Sequence, residues 1–296
     1  MSTCLRWLVL FIVSGILGFG AGEELRAQAD PQNYLFNSGQ TIQPFFDGWS
    51  HNPDGSFEMH FGYLNRNYVE DLGVEVGLNN RVSPEGPDRG QPDYFYPRVN
   101  RRVFSVTVPT DWGDRELIWQ VTTNDESYQA VGWLQPEWEI APTGTGGATA
   151  AGEPENQPPS LQVSAPASVV LGEPLTMTAT VGDDGLPPAP RERSPGRGTL
   201  PTFETQDSGP TLPVNVPQIQ RDSRNRPARV QLDRLSVTWT QLRGPVGARI
   251  EAEDDDAAEG VATVTATFAS TGVYRFRVQA SDRRLTTSEE ISITVR

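Results

Sequence analysis

The histidines His51 and His60 are the first residues to consider for chemistry, because the chain has no others. Asp47, Asp54 and Glu58 lie near them in sequence, and two imidazoles with a carboxylate can bind zinc or iron. His60, however, falls on the outward side of an alternating segment and His51 in a turn. No helical i, i+4 spacing brings them together, so the sequence does not predict a functional zinc or iron site.

Acidic residues at predicted strand ends are the better candidates for metal binding, since carboxylate oxygens are the ligands that calcium prefers. None of these residues follows the fixed spacing of an EF-hand loop. An acidic loop is also a common way to keep a surface solvated. Calcium binding and simple solvation both stay open. The candidate ligands are Asp183, Asp184, Asp254, Asp255 and Asp282.

Residue types needed for catalysis are poorly represented. The chain has no lysine for a Schiff base or a phosphate-binding loop, and its single cysteine is Cys4. There is no G-x-S-x-G or H-E-x-x-H motif. A glycoside hydrolase site made of two carboxylates stays open as an alternative, because such a site depends only on the spacing of the carboxylates in the folded protein. We therefore expect a protein that is not an enzyme and has no cofactor, calcium excepted.

Aromatic residues upstream of residue 142 suggest sugar binding. Exposed rings can stack on sugar rings while neighbouring carboxylates and amides read the hydroxyl groups. The same rings could equally pack into a core or over a sheet edge. The candidate ligand-binding residues are Trp49, Tyr94, Tyr96, Trp112 and Trp138.

The first 29 residues have the pattern of a secretory signal peptide. Arg6 precedes an apolar run over 7–19, and Ala27 and Ala29 form an A-x-A cleavage site. We expect cleavage after Ala29, which leaves a mature chain without cysteine and without a membrane span. The product would be periplasmic or extracellular. With a net charge of −14 it would be a poor ligand for nucleic acid, whose binding depends on phosphate neutralisation.

Changes in composition divide the mature chain into two β-rich domains. An aromatic-rich domain is predicted over 30–142, a Gly/Ala/Thr-rich flexible linker over 143–160, and a Val/Thr-rich domain over 161–296. Within the last, the Pro- and Arg-rich stretch 187–229 contains few apolar residues. We expect it to be a disordered insertion.

Alternation of apolar and polar residues predicts strands rather than helices throughout both domains. The downstream domain shows six such strands, which predict a β-sandwich of immunoglobulin type. The upstream domain is predicted to be a second all-β domain of undetermined topology. The predicted upstream strands are centred on 57–63, 74–78, 104–108, 117–121 and 129–134, and the downstream ones on 161–163, 175–181, 235–240, 262–268, 274–280 and 291–295.

Five segments of the downstream domain carry a resemblance to a known family. They are N-Q-P-P-S at 156–160, L-G-E-P-L at 171–175, V-G-D-D-G-L-P at 181–187, L-S-V-T-W-T-Q-L-R-G-P at 235–245 and T-F-A-S-T-G-V-Y-R-F-R-V-Q-A-S-D at 267–282. With them the domain resembles the PKD-type branch of immunoglobulin-like domains in bacterial surface and secreted proteins, in a variant that has a W-x-Q-x-x-G-P strand in place of W-D-F-G-D-G. The resemblance implies a core Trp239, a tyrosine corner at Tyr274, and a role in extracellular scaffolding or adhesion rather than catalysis.

Three motifs stand out in the upstream domain: F-G-Y-x-N-R-N at 61–67, D-R-G-Q-P at 88–92 and A-V-G-W-L-Q-P-E-W at 130–138. With them the domain resembles uncharacterised bacterial secreted proteins, and this resemblance implies no activity.

Taken together, the sequence favours an exported, monomeric, non-enzymatic protein that presents an N-terminal recognition domain on an immunoglobulin-like module. Its partner would be an envelope or extracellular protein. The alternative is a carbohydrate-binding module that uses exposed aromatic residues of the N-terminal domain to bind a glycan.

Overall fold

A computed structural model of the protein describes residues 36–140, 156–187, 226–232, 234–253 and 260–296. The predicted signal peptide, most of the predicted linker, residues 188–225, and Asp254 and Asp255 lie outside these ranges. Residues 36–296 cluster as one compact unit. The described residues fold into β-strands and one short 3-10 turn, so the predicted all-β class is confirmed.

Two groups of strands are found, which we call the N-terminal module (36–140) and the C-terminal module (156–296). The N-terminal strands are β1 (Ile42–His51), β2 (Phe57–Asn65), β3 (Leu72–Gly73), β4 (Asn80–Ser83), β5 (Tyr94–Phe95), β6 (Arg98–Val108), β7 (Leu117–Thr123) and β8 (Glu126–Gly132), followed by the 3-10 turn Pro136–Trp138. The C-terminal strands are β9 (Ser160–Ser164), β10 (Ser168–Val169), β11 (Leu175–Gly182), β12 (Ala228–Leu232), β13 (Leu235–Arg243), β14 (Arg249–Ala252), β15 (Val261–Thr267), β16 (Gly272–Ser281) and β17 (Thr286–Val295).

The C-terminal module consists of two facing sheets. One has the strand order β10-β17-β16-β13-β12 and the other β14-β15-β11-β9. The alternation in the sequence fixes which side chains face inward. In β16, for example, Tyr274 and Phe276 are fully buried while Arg275 and Arg277 lie on the opposite side.

Both residues that the resemblance assigned to this core are buried. Trp239 and Tyr274 have no exposed surface, and the Tyr274 hydroxyl donates a hydrogen bond to the Ser270 carbonyl at 2.8 Å. A tyrosine that reaches back a few residues to the backbone is the arrangement of a tyrosine corner.

Two predicted boundaries of this module were wrong. The predicted insertion 187–229 overlaps β12, whose Ala228 and Val230 are buried in the core. The last residues of the predicted linker also belong to the module, because Ser160 begins β9 and Asn156 Nδ2 donates to Asp282 Oδ2 at 2.8 Å. The stretch from β9 to β17 adds β10, β12 and β14 to the six predicted strands, all three of them short.

The N-terminal module is built from the sheets β1-β2-β6 and β4-β7-β8 and the two-stranded ribbon β3-β5. Its core is aromatic: Phe61 stacks on Phe104 at 5.3 Å, and Trp119 meets Phe104 edge-on at 4.8 Å. All three rings are at most 3% exposed. This module therefore has a core distinct from that of the C-terminal module.

The strand predicted over 74–78 was wrong, although its apolar residues alternate. Val76 is only half-buried and Leu78 is 83% exposed, since the chain leaves β3 and turns before β4. The turn is closed by a bond from Gly77 N to Asn80 O, with Gly77 at φ 148°. In contrast, β1 was not predicted, because Pro44 and adjacent phenylalanines obscure its alternation.

Tight packing around Gly62 explains why the F-G-Y segment has a glycine at its centre. A Cβ at this position would lie 2.5 Å from the Phe45 ring, 2.6 Å from Asp47 Oδ2 and 2.7 Å from Asn100 O. The Asp47 carboxylate sits over this glycine and is 1% exposed. It accepts hydrogen bonds from Arg101 Nη1 and Arg102 N, each at 2.7 Å.

We predict that Gly62→Ala destabilises the protein by about 1–3 kcal/mol, because the added methyl group overpacks a filled site. Urea unfolding monitored by circular dichroism would measure the change. Thr107→Ala, at an exposed position of β6, is the control and should change stability by less than about 0.5 kcal/mol. Equal stability of Gly62→Ala and wild type would contradict this explanation of the motif.

Candidate functional site

Four of the five aromatic residues proposed for sugar binding are buried. Trp49, Tyr94, Tyr96 and Trp112 are between 1% and 6% exposed, so the expectation that they form exposed platforms was wrong. The indole groups of Trp49 and Trp112 donate hydrogen bonds to backbone carbonyls within the module, at 2.8 and 2.7 Å. Buried indole N–H groups usually have such partners, so these two rings are accommodated inside the module.

Trp138 is the remaining candidate, with 43% of its surface exposed. It lies in the 3-10 turn, and its ring packs against Phe46 at 5.8 Å. Nearby in sequence, Trp133 borders a groove that is also lined by Asp114 and Glu116. Trp138 is therefore the one exposed ring among the five aromatic residues proposed for sugar binding.

Three of the proposed calcium ligands lie within the described residues, and hydrogen bonds already engage them. Asp282 is 1% exposed, and its Oδ1 accepts the backbone N–H groups of Arg284 and Leu285 at 2.6 Å. Asp184 accepts the N–H groups of Gln157 and Leu186, each at 2.8 Å, and Asp183 accepts one from Gly185 at 3.0 Å. Across the described ranges, no group of three or more metal-ligating side chains is found.

The two histidines make different contacts. His60 Nε2 lies 2.9 Å from Ser50 Oγ on the outer face of the β1-β2-β6 sheet. Burial lowers the pKa of His60 below its usual value. His51 is exposed and lies 3.7 Å from the Glu139 carboxylate.

A set of contacts between the two modules is the most developed polar arrangement in the described structure, and we call it the clasp. It joins the loop 88–96 of the N-terminal module to the end of β13 and the turn after it, residues 241–246. These stretches contain the D-R-G-Q-P motif and the Q-x-x-G-P part of the variant strand. Two motifs that the sequence placed in separate domains thus contact each other.

A β-bulge in β13 makes the clasp possible. The register of β13 against β16 shifts between Gln241 and Arg243. A bulge interrupts the ladder and leaves backbone groups free. Gln241 N donates to the Tyr96 hydroxyl at 3.0 Å, and the Leu242 carbonyl accepts from Asp93 N at 3.1 Å.

Charged groups complete the clasp. The Arg243 guanidinium makes a bidentate pair with Asp88, at 3.0 and 2.6 Å, and its Nε donates to the Gln91 carbonyl at 3.0 Å. The Arg243 hydrogen bonds lower the pKa of Asp88 to about 2. Further along the same face, Arg277 Nη1 donates to the Val103 carbonyl at 2.7 Å. These contacts fix the orientation of one module against the other.

A buried carboxyl lies behind the clasp. The Tyr94 hydroxyl hydrogen-bonds to Asp71, whose Oδ1 has no hydrogen-bond partner among the described residues. Burial raises the pKa of Asp71 to about 6. The Tyr94 ring in turn meets Tyr96 edge-on at 4.8 Å, so Asp71 is connected to the clasp through two tyrosines.

Comparison with known proteins gives no family assignment. No family model matches the chain, and no curated protein matches it. Among solved structures, the S-layer protein rSbsC(31-844) aligns with a TM-score of 0.26 and 10% identity, over 86% of this chain and 28% of that chain. Domains 4 and 5 of SbsC give 0.24 and 10%, over 86% and 97%. The endo-fucoidan hydrolase MfFcnA4 of glycoside hydrolase family 107 gives 0.23 and 12%, over 89% and 30%.

This chain thus spans less than a third of the length of the full S-layer structure. At these TM-scores the alignments carry no argument about function. The described residues contain no helix of the length and apolar character that crossing a bilayer requires.

We predict that Arg243→Gln weakens the clasp and lowers the free energy of unfolding by about 1–2 kcal/mol, since it removes a bidentate charged hydrogen bond that is partly exposed. Calorimetry should resolve two transitions in place of one. Tryptophan fluorescence would assign one of them to the N-terminal module, because five of the six tryptophans that follow residue 29 lie there. Arg249→Gln, at an exposed position of β14, is the control. A single unshifted transition in Arg243→Gln would contradict the role given to the clasp.

We predict that Asp71→Asn changes how stability depends on pH. The folded-state pKa of about 6 lies above the ordinary value of 3.8, so the carboxyl favours folding only while protonated. Its contribution is complete below about pH 3.8 and is lost as pH rises through about 6. Asn should therefore raise the melting temperature at pH 8, with a gain that shrinks towards pH 4. The exposed control Asp111→Asn should follow wild type, and a gain independent of pH would contradict the prediction.

Proposed function

We propose that this is an exported, non-enzymatic structural or protein-interaction protein, in which the C-terminal module holds the N-terminal module in a fixed orientation towards a partner. The supporting observation is the clasp. Two modules that acted separately would need no bidentate Arg243–Asp88 pair and no bulge that offers backbone groups to Asp93 and Tyr96. Fixing the orientation in advance lowers the entropy cost of binding.

Export is supported by the signal-like pattern that ends at Ala29. The mature chain would contain no cysteine, so its two cores and the clasp would maintain the fold without disulfides. Periplasmic or extracellular scaffolding is consistent with this organisation.

Glycan binding is the weaker function, because only Trp138 among the proposed rings is exposed. The groove beside Trp133, with Asp114 and Glu116, is the specific feature that keeps it worth testing. A screen of soluble and insoluble polysaccharides with wild type and Trp138→Ala would decide it, since binding abolished by Trp138→Ala in a folded protein would replace our proposal.

Photo-crosslinking in the envelope of the producing cell would test the proposed function. A photoreactive residue would be placed at exposed positions in both modules, for example at Arg81 and Arg249. We expect a reproducible adduct with one envelope protein, and fewer adducts in the Arg243→Gln background. Turnover of ester, peptide or glycan substrates by purified wild type would overturn the non-enzymatic assignment. Adducts that do not change in Arg243→Gln would show that a fixed orientation is not needed.

A further inference from the structure

An exposed aromatic and basic surface lies on the N-terminal module. We call it the Arg98 patch. Its residues are Phe36, Arg66, Tyr68 and Arg98. Phe36 and Tyr68 are 45% and 37% exposed, which is high for large aromatic side chains. Tyrosine and arginine side chains are enriched among residues that dominate the energy of protein interfaces.

The arginine of this patch is held in place before any partner binds. The Arg98 guanidinium lies 4.2 Å from the centroid of the Tyr68 ring, and the Phe36 ring packs against that same ring at a centroid distance of 6.5 Å. Arg98 Nη1 also donates to the Arg66 carbonyl at 3.4 Å. A stacked arginine loses less rotamer freedom on binding than a free one.

The backbone of Arg98 is unusual as well. Arg98 begins β6 opposite Asn65 and has a φ of 68°, in the left-handed region that a residue with a side chain rarely adopts. Such a conformation is strained and persists where the surroundings impose it. Here it places the guanidinium over Tyr68.

Arg66 and Arg98 give this patch positive charge. The chain carries a net charge of −14, yet within the described ranges neither Arg66 nor Arg98 forms an ion pair. Carboxylates on neighbouring segments are engaged elsewhere. Asp47 pairs with Arg101, and Glu70 accepts the Gly39 N–H group at 2.6 Å. The remaining donors of the Arg98 guanidinium can therefore receive an incoming carboxylate.

We propose that the Arg98 patch is the docking surface for a polypeptide segment that carries a carboxylate beside an apolar side chain. This inference rests on the proposed function and names the surface that performs it. The carboxylate pairs with the Arg98 guanidinium, whose planar donors suit bidentate contact. The apolar side chain packs on Phe36.

Selection from a displayed library of random 12-residue peptides tests this proposal directly, because it requires only the chemistry of the bound segment. The intact exported chain is the bait, and Arg98→Gly is used for counter-selection. Glycine tolerates the left-handed backbone at this position, so the variant removes the guanidinium without backbone strain. We expect the selected peptides to contain Asp or Glu within two residues of a large apolar side chain.

Fluorescence anisotropy with the best peptide then gives the affinities. We expect binding at least tenfold weaker with Arg98→Gly, with Tyr68→Ala, and with the same peptide in which Glu and Asp are replaced by Gln and Asn. Arg81→Gln, an exposed arginine on β4, should bind as wild type does. Heparin is added as a competitor.

Peptides without acidic residues, equal affinity for Arg98→Gly, or no enrichment at all would overturn the proposal. Heparin that binds more tightly than any peptide, and does so through Arg98, would overturn it in favour of an anionic polysaccharide. These failures are distinct from failure of the proposed function. If adducts with an envelope protein persist in Arg98→Gly, the proposed function stands and its docking surface is not the Arg98 patch.

Discussion

Buried amide side chains determine how the N-terminal module is built. Between β2 and β6 the chain runs through more than 30 residues with only short strands, and its backbone groups still need hydrogen-bond partners. Asn65, Asn80 and Gln91 are fully buried and provide them. Asn80 Nδ2 donates to the Val74 and Pro92 carbonyls at 2.9 and 2.7 Å, and its Oδ1 accepts the Trp119 indole. These amides hold a long loop in one conformation against an aromatic core.

The clasp depends on that loop. Gln91 accepts from Arg89 and donates to the Asn80 carbonyl, which fixes the segment that carries Asp88 and Asp93. The C-terminal module contributes the bulge at Gln241–Arg243. Neither the ordered loop nor the bulge would join the modules by itself, because a carboxylate on a mobile loop would lose conformational entropy on pairing with Arg243. The two modules therefore act as one body, although each retains its own core.

The Asp88 carboxyl in the clasp and the Asp71 carboxyl behind it have opposite pH responses. Asp88 is held ionised by Arg243, whereas Asp71 is buried beside Tyr94 and favours its neutral form. The first contribution to stability is lost as pH falls through about 2, and the second as pH rises through about 6. Between these values both carboxyls are close to the state that each environment favours.

The sequence by itself determined the all-β class and most of the C-terminal strands, because alternation with a period of two is a local property that one buried face imposes. It also determined that Trp239 and Tyr274 belong to a core. It could not determine the exposure of Tyr94, Tyr96 or Trp112, since an aromatic ring suits a core and a binding surface equally well. Only the tertiary structure decided that Tyr96 bonds to Gln241, 145 residues away, and that Arg98 lies exposed over Tyr68. Such pairings depend on which distant segments meet, and local patterning contains no information about that.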